Sequence, residues 1–138
     1  MNTFVLRDDE HALVEVDPGG SIFRSNWRTQ PNSGTLRRIL IQAHMQVVQH
    51  GVRFWLSDSR ALNVLREADE HWIRTIWTPR IFEAGLERMA IVPSNVDRYR
   101  VPLTRIVDGA RAASPFPVQF FERPEEGEQW LLDQVAVA

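Results

Sequence analysis

The chain has 138 residues, 43% of them hydrophobic, which suits one domain with a substantial core. It lacks cysteine, so disulfides, thiolate metal sites and cysteine nucleophiles are excluded. All 16 basic residues are arginine, and 18 acidic residues outnumber them. The net charge of −2 therefore gives no general attraction to phosphate backbones, and nucleic acid is not an expected partner. Arginine without lysine suits planar anion recognition. Its scatter along the chain equally suits the codon usage of a GC-rich genome. No apolar run approaches the roughly 20 residues needed to span a bilayer. The segment Met1–Asp9 has no basic region followed by an apolar stretch, as a secretory signal would. The expectation is a cytoplasmic protein without membrane insertion.

Residues 3–7, 11–16 and 21–27 read as three strands of an antiparallel meander. Asp8-Asp9-Glu10 turns the first corner and Asp17-Pro18-Gly19-Gly20 the second. Proline presets φ there and the glycines permit positive φ. The stretch 30–35 breaks the pattern and supplies helix caps. Leu36, Ile39, Leu40, Ala43 and Val47 then recur at helical spacing until Gly51 ends the segment. Strand 52–57 follows with almost no linker.

Residues 67–84 form a broad-faced helical pattern carrying Trp72, Ile73, Ile76, Trp77, Ile81 and Phe82, with Gly85 at its end. Pro79 predicts a kink or break within two residues, because proline lacks the N–H and crowds the preceding turn. Strand 86–92, a helix over about 96–113, strand 117–121 and a helix opening at Pro124-Glu125-Glu126 complete the chain. Strands joined by crossover helices imply parallel neighbours. The fold class is α/β: a single domain over 1–138, with a mixed sheet of about six strands and four or five helices.

Leu56-Ser57-Asp58-Ser59-Arg60 lies where an apolar strand gives way to polar side chains. Ligands and reactive groups gather beyond the carboxyl ends of strands in open α/β sheets. Asp58 can orient a hydroxyl or bind a cation, Ser59 can accept a phosphoryl group, and Arg60 can pair with an anion or with Asp58. The same residues also suit a plain turn in which Asp58 or Ser59 caps backbone N–H groups. Trp55, Trp72 and Trp77 fit either an apolar ligand pocket or ordinary core packing. The four histidines show no metal-ligand spacing, and Glu67 with His71 reads as a surface ion pair. No nucleophile elbow, phosphate-binding loop or dinucleotide fingerprint occurs, so no metal, cofactor or enzymatic activity is expected.

The order of strands and helices resembles the STAS fold, and most of all its small stand-alone bacterial members. The residues carrying the resemblance are Phe54–Arg60, Trp72, the Gly85–Val92 strand and the Phe120–Leu131 segment. With the helix from Leu36, they span roughly 36–132. No single motif is diagnostic; order and spacing carry the likeness. In anti-sigma-factor antagonists of that family, an Asp-Ser pair follows the corresponding strand, and a partner kinase phosphorylates its serine. Asp58-Ser59 fall there, although Arg60-Ala61 stand where the family has a small residue and glycine. The resemblance implies a non-enzymatic regulatory or protein-interaction module, with Asp58, Ser59 and Arg60 as its working surface and a homodimer as one arrangement it could take. The alternative is a carrier for a small apolar ligand or lipid, with a pocket lined by Trp55, Trp72 and Trp77.

Overall fold

The computed structural model describes residues 3–137, with side chains described over 3–133. One sheet of six strands runs in sequence order: β1 (Phe4–Asp8), β2 (Ala12–Val16), β3 (Ile22–Trp27), β4 (Phe54–Asp58), β5 (Arg88–Val92) and β6 (Val118–Phe120). β1 to β3 form the expected antiparallel meander. β4, β5 and β6 are parallel neighbours, as the crossover pattern predicts. β3 joins the two regimes. It is antiparallel to β2 and parallel to β4, with Ile22 opposite Phe54 and Asn26 opposite Asp58.

Four helices accompany the sheet: α1 (Ser33–His50), α2 (67–82), α3 (Asp97–Ala110) and α4 (Pro124–Val137). α1 begins where the Asn32 side chain accepts a 2.8 Å hydrogen bond from the Thr35 N–H. It ends at Gly51, left-handed at φ 60°, whose N–H reaches the Val47 and Val48 carbonyls. Gly20 packs under that end. A Cβ there would lie 2.3 Å from the His50 carbonyl oxygen, so only glycine lets the hairpin and the helix meet.

Each parallel strand is added on the same side of its predecessor. Right-handed crossovers then force α1, α2 and α3 onto one face of the sheet. They share a core with Val14, Phe23, Trp55, Met89 and Ile91. Alternate side chains of the same strands, including Ile22, Phe54, Leu56, Ala90 and Val92, point to the other face. There, among the described residues, they meet α4 through Leu131 and Trp130, with the neighbouring Phe121. Gly127 allows this close seat, because a Cβ would stand 2.9 Å from Leu56 Cδ1 and 3.2 Å from Ala90 Cβ. Arg24 of β3 fastens α4 from the side, donating to Glu128 at 2.6 Å and to Asp17 at 2.7 Å. Among the described residues, no helix is long and apolar enough to cross a membrane.

α2 departs from regularity where Pro79 demands it, but it does not break. Glu67–Trp72 is α-helical, Ile73–Trp77 is π-helical and Thr78–Phe82 is α-helical again. Thr78 donates its N–H to the Ile73 carbonyl, five residues back. Pro79 has no N–H to give, and its ring would crowd the Thr75 carbonyl in a regular helix. A widened turn accommodates both facts without ending the helix.

Candidate functional site

The end of β4 is tightly enclosed. Asp58 and Ser59 are 7% and 3% exposed, so the accessible working surface expected of this turn reduces to Arg60. The Asp58 carboxylate accepts the Arg60 backbone N–H at 3.2 Å and its guanidinium at 3.0 and 2.7 Å. The hydrogen bonds from Arg60 to Asp58 hold the guanidinium charged, raising its already high pKa. Asp58 is thus turn cap and ion-pair partner at once, combining two roles that the sequence left as alternatives. Ser59 donates its N–H to the Val92 carbonyl at 2.8 Å and accepts from the Leu62 N–H at 3.1 Å. Its hydroxyl lies 3.4 Å from that of Ser57, inside the molecule. The Ser59 hydroxyl is therefore not presented at the surface in this conformation.

Two of the three tryptophans meet. Trp55 and Trp77 stand edge to face at 5.7 Å between ring centroids, and Phe23 meets Trp55 the same way at 5.1 Å. Both indole N–H groups are satisfied, Trp55 by the Ser25 hydroxyl at 2.9 Å and Trp77 by the Leu40 carbonyl at 2.7 Å. Trp72 stands apart. It lies half-buried with the Arg37 guanidinium 5.4 Å from its ring centroid and does not line the cavity that Trp55 and Trp77 share. Helical phase accounts for this: Ile73, Trp77 and Ile81, spaced by four, face inward, so Trp72 cannot.

Between the sheet and helices α1 to α3 lies a cavity of about 110 Å³. Its walls are almost wholly apolar, with Trp55, Trp77, Met89, Ile91, Leu103 and Ile106 among them. Ser57, Ser59 and Tyr99 supply hydroxyls where β4 ends and α3 begins, with Ser25 opposite Ser57, and Thr78 and Ser114 supply others elsewhere on the wall. Tyr99 is 6% exposed. Burial pushes its phenol up to about 12, and a hydrogen bond with Ser59 only partly opposes this. The phenol therefore stays neutral at ordinary pH. Among the described residues lining the cavity there is no histidine or carboxylate, and Arg111 is the one charged side chain. No serine there has a general base beside it.

The roof of the cavity is pinned by two buried acids that the sequence did not flag. Asp69, 0% exposed, accepts from the Ser33 hydroxyl at 2.6 Å and from Arg37 at 2.9 Å, tying α2 to α1. Glu70 accepts from Arg105 at 2.8 and 3.2 Å, tying α2 to α3. Hydrogen bonds from Arg105 hold the Glu70 carboxyl below its ordinary range against the opposing effect of burial. Acids in a first helical turn read as complements to the helix dipole. Nothing local in the sequence says that arginines of two other helices will close over them. His71 has its Nδ1 3.2 Å from Arg74, a contact the expected pairing with Glu67 did not foresee. Among the described residues, no group of three or more histidines and acids is placed to hold a metal ion. No family model, known protein or solved structure gives a significant match to this chain.

Proposed function

We propose that the domain binds a small, mainly apolar molecule in the cavity between its sheet and helices α1 to α3. The cavity itself carries this reading: about 110 Å³ of space is lined mainly by aromatic and aliphatic side chains, with hydroxyls clustered where β4 ends. An apolar cavity of about 150 Å³ stays dry and takes up benzene or xenon. One of this size suits a single ring or a short branched chain. Ligands of so few atoms bind with dissociation constants between about 10 µM and 1 mM. The test is a thermal unfolding series with benzene beside the filled variant Ile91→Phe. Benzene should raise the melting temperature of the wild-type chain with concentration and leave that of the filled variant unchanged. No shift in the wild-type chain would overturn the proposal.

A second reading keeps the domain as an interaction module of STAS type. The observation favouring it is Arg60, whose side chain is 55% exposed while Asp58 fixes its guanidinium in place. A fixed surface cation at the sheet's carboxyl edge suits a carboxylate on a partner protein or on a second copy of the chain. Arg60→Ala should then abolish recovery of a specific partner from host lysate, and Asp58→Asn/Arg60→Ala, which strands no buried carboxylate, should abolish it equally at higher thermal stability than Arg60→Ala. Both readings suit a cytoplasmic protein, where a chain without cysteine needs no oxidising surroundings.

A further inference from the structure

The hydroxyl end of the cavity identifies the chemistry of its ligand, granted that the cavity is a binding site. Ser57 and Ser59 sit 3.4 Å apart, well beyond the usual 2.7–2.8 Å between hydroxyl oxygens, so their mutual hydrogen bond is weak. Each hydroxyl offers one donor and two acceptor positions; Tyr99, already hydrogen-bonded with Ser59, adds a third group, and Ser25, opposite Ser57 and accepting from the Trp55 indole, a fourth, so that unused positions remain. This end can therefore give and receive hydrogen bonds with a guest, yet it offers no charge. The neighbouring carboxylate of Asp58 points to the opposite face of the sheet and is held by Arg60. Arg111 lies twelve residues along α3 and its C-terminal end from Tyr99, about 18 Å at helical rise. A carboxylate or ammonium brought to the hydroxyl end would shed its water without meeting a counter-charge.

We infer that the ligand is an uncharged, phenol-like molecule whose single hydroxyl sits among Ser57, Ser59 and Tyr99 while its apolar body lies against Trp55 and Trp77. Toluene and phenol differ by a methyl in place of the hydroxyl, so the pair isolates the polar contact. One neutral hydrogen bond should make phenol bind about three- to tenfold more tightly than toluene. Benzoate and benzylamine should bind at least a hundredfold more weakly than phenol at neutral pH.

Titration calorimetry with these four compounds tests the inference, using the full chain and the variants Tyr99→Phe and Ser57→Ala/Ser59→Ala. The expected result is a phenol preference in the wild-type chain that falls to about one in either variant, with toluene affinity kept. The serine pair provides the same readout if Tyr99→Phe does not fold. Toluene binding with no preference for phenol, or benzoate binding as tightly as phenol, would overturn the inference and leave an apolar binding site standing. Absence of binding by both toluene and phenol would remove that site, and the inference with it.

Discussion

Asp69 and Arg37 form a pair whose two halves have different surroundings. The Asp69 side chain is 1% exposed and that of Arg37 is 35% exposed. Losing the cation strands a buried charge, whereas neutralising the acid releases a guanidinium that already reaches water. Arg37→Ala should cost about 3–5 kcal/mol. Asp69→Asn, which keeps an oxygen for Ser33, should cost about 1–2 kcal/mol. Urea unfolding of both variants checks the asymmetry, and equal losses would contradict it. The same physics marks the limit of the sequence at this scale. Asp58, Ser59 and Arg60 were legible as the residues at the strand end, because an apolar run stops there. The burial of Asp58 and Ser59 was not, because it depends on residues distant in the chain, such as Tyr99 of α3 beside Ser59. Trp55 and Trp77 were legible as neighbours for the same reason as any strand and helix facing each other. The exclusion of Trp72 depends on the phase of α2, which one residue of slippage reverses.

α2 shows both what a proline announces and what it leaves open. Pro79 predicts a departure within two residues, and the π-helical turn ends at Trp77. The form of the departure is decided by packing: widening the turn keeps Ile73, Trp77 and Ile81 over the cavity, whereas a break would move one of them away. Pro79→Ala should remain folded, with a stability change within about 1 kcal/mol, since the alanine N–H replaces a strain already relieved. A loss of more than about 3 kcal/mol in chemical denaturation would show that the ring itself holds the turn. The link from α2 to α3 has a pH dependence of definite sign. Because Arg105 holds the Glu70 carboxyl low in the folded chain, the stability it contributes is present above the ordinary value of 4.5. It is lost as pH falls through the depressed folded value. Glu70→Gln should therefore be less stable than wild type at pH 7, and the gap should close as pH falls below 4.5. A gap that persists undiminished in acid would assign the effect to packing instead.

For the whole molecule, the parallel strands and the antiparallel meander were legible because apolar runs, turn residues and helical spacing alternate cleanly along the chain. The joining of the two by β3 was not written in any local pattern. Ser21–Trp27 looks like its meander neighbours, and only the crossover through α1 makes its second edge parallel. The unequal covering of the sheet follows from the same topology. With strands added always in one direction, three helices accumulate on one face, and the cavity lies among them rather than beneath α4. A void with three helices for a roof needs all three helix phases to be known together, so its outline exceeds what spacing along the chain can tell.

The enclosed phenol gives the molecule an optical gauge of its own interior. Tyr99 is the one tyrosine in a chain that has neither lysine nor cysteine, so between the ionisation of the amino terminus and that of the arginines a single side chain titrates. Its ordinary value is 10.0, and in the folded chain it stands at about 12. The folded state keeps this contribution in full below pH 10 and loses it as pH rises towards 12, by then about 2–3 kcal/mol. Tyr99→Phe should flatten that alkaline decline. In the wild-type chain, near-ultraviolet absorbance of tyrosinate will appear as fast as the roof parts to admit hydroxide. A guest that fills the cavity should delay the colour, so occupancy becomes readable in a spectrophotometer with no label attached.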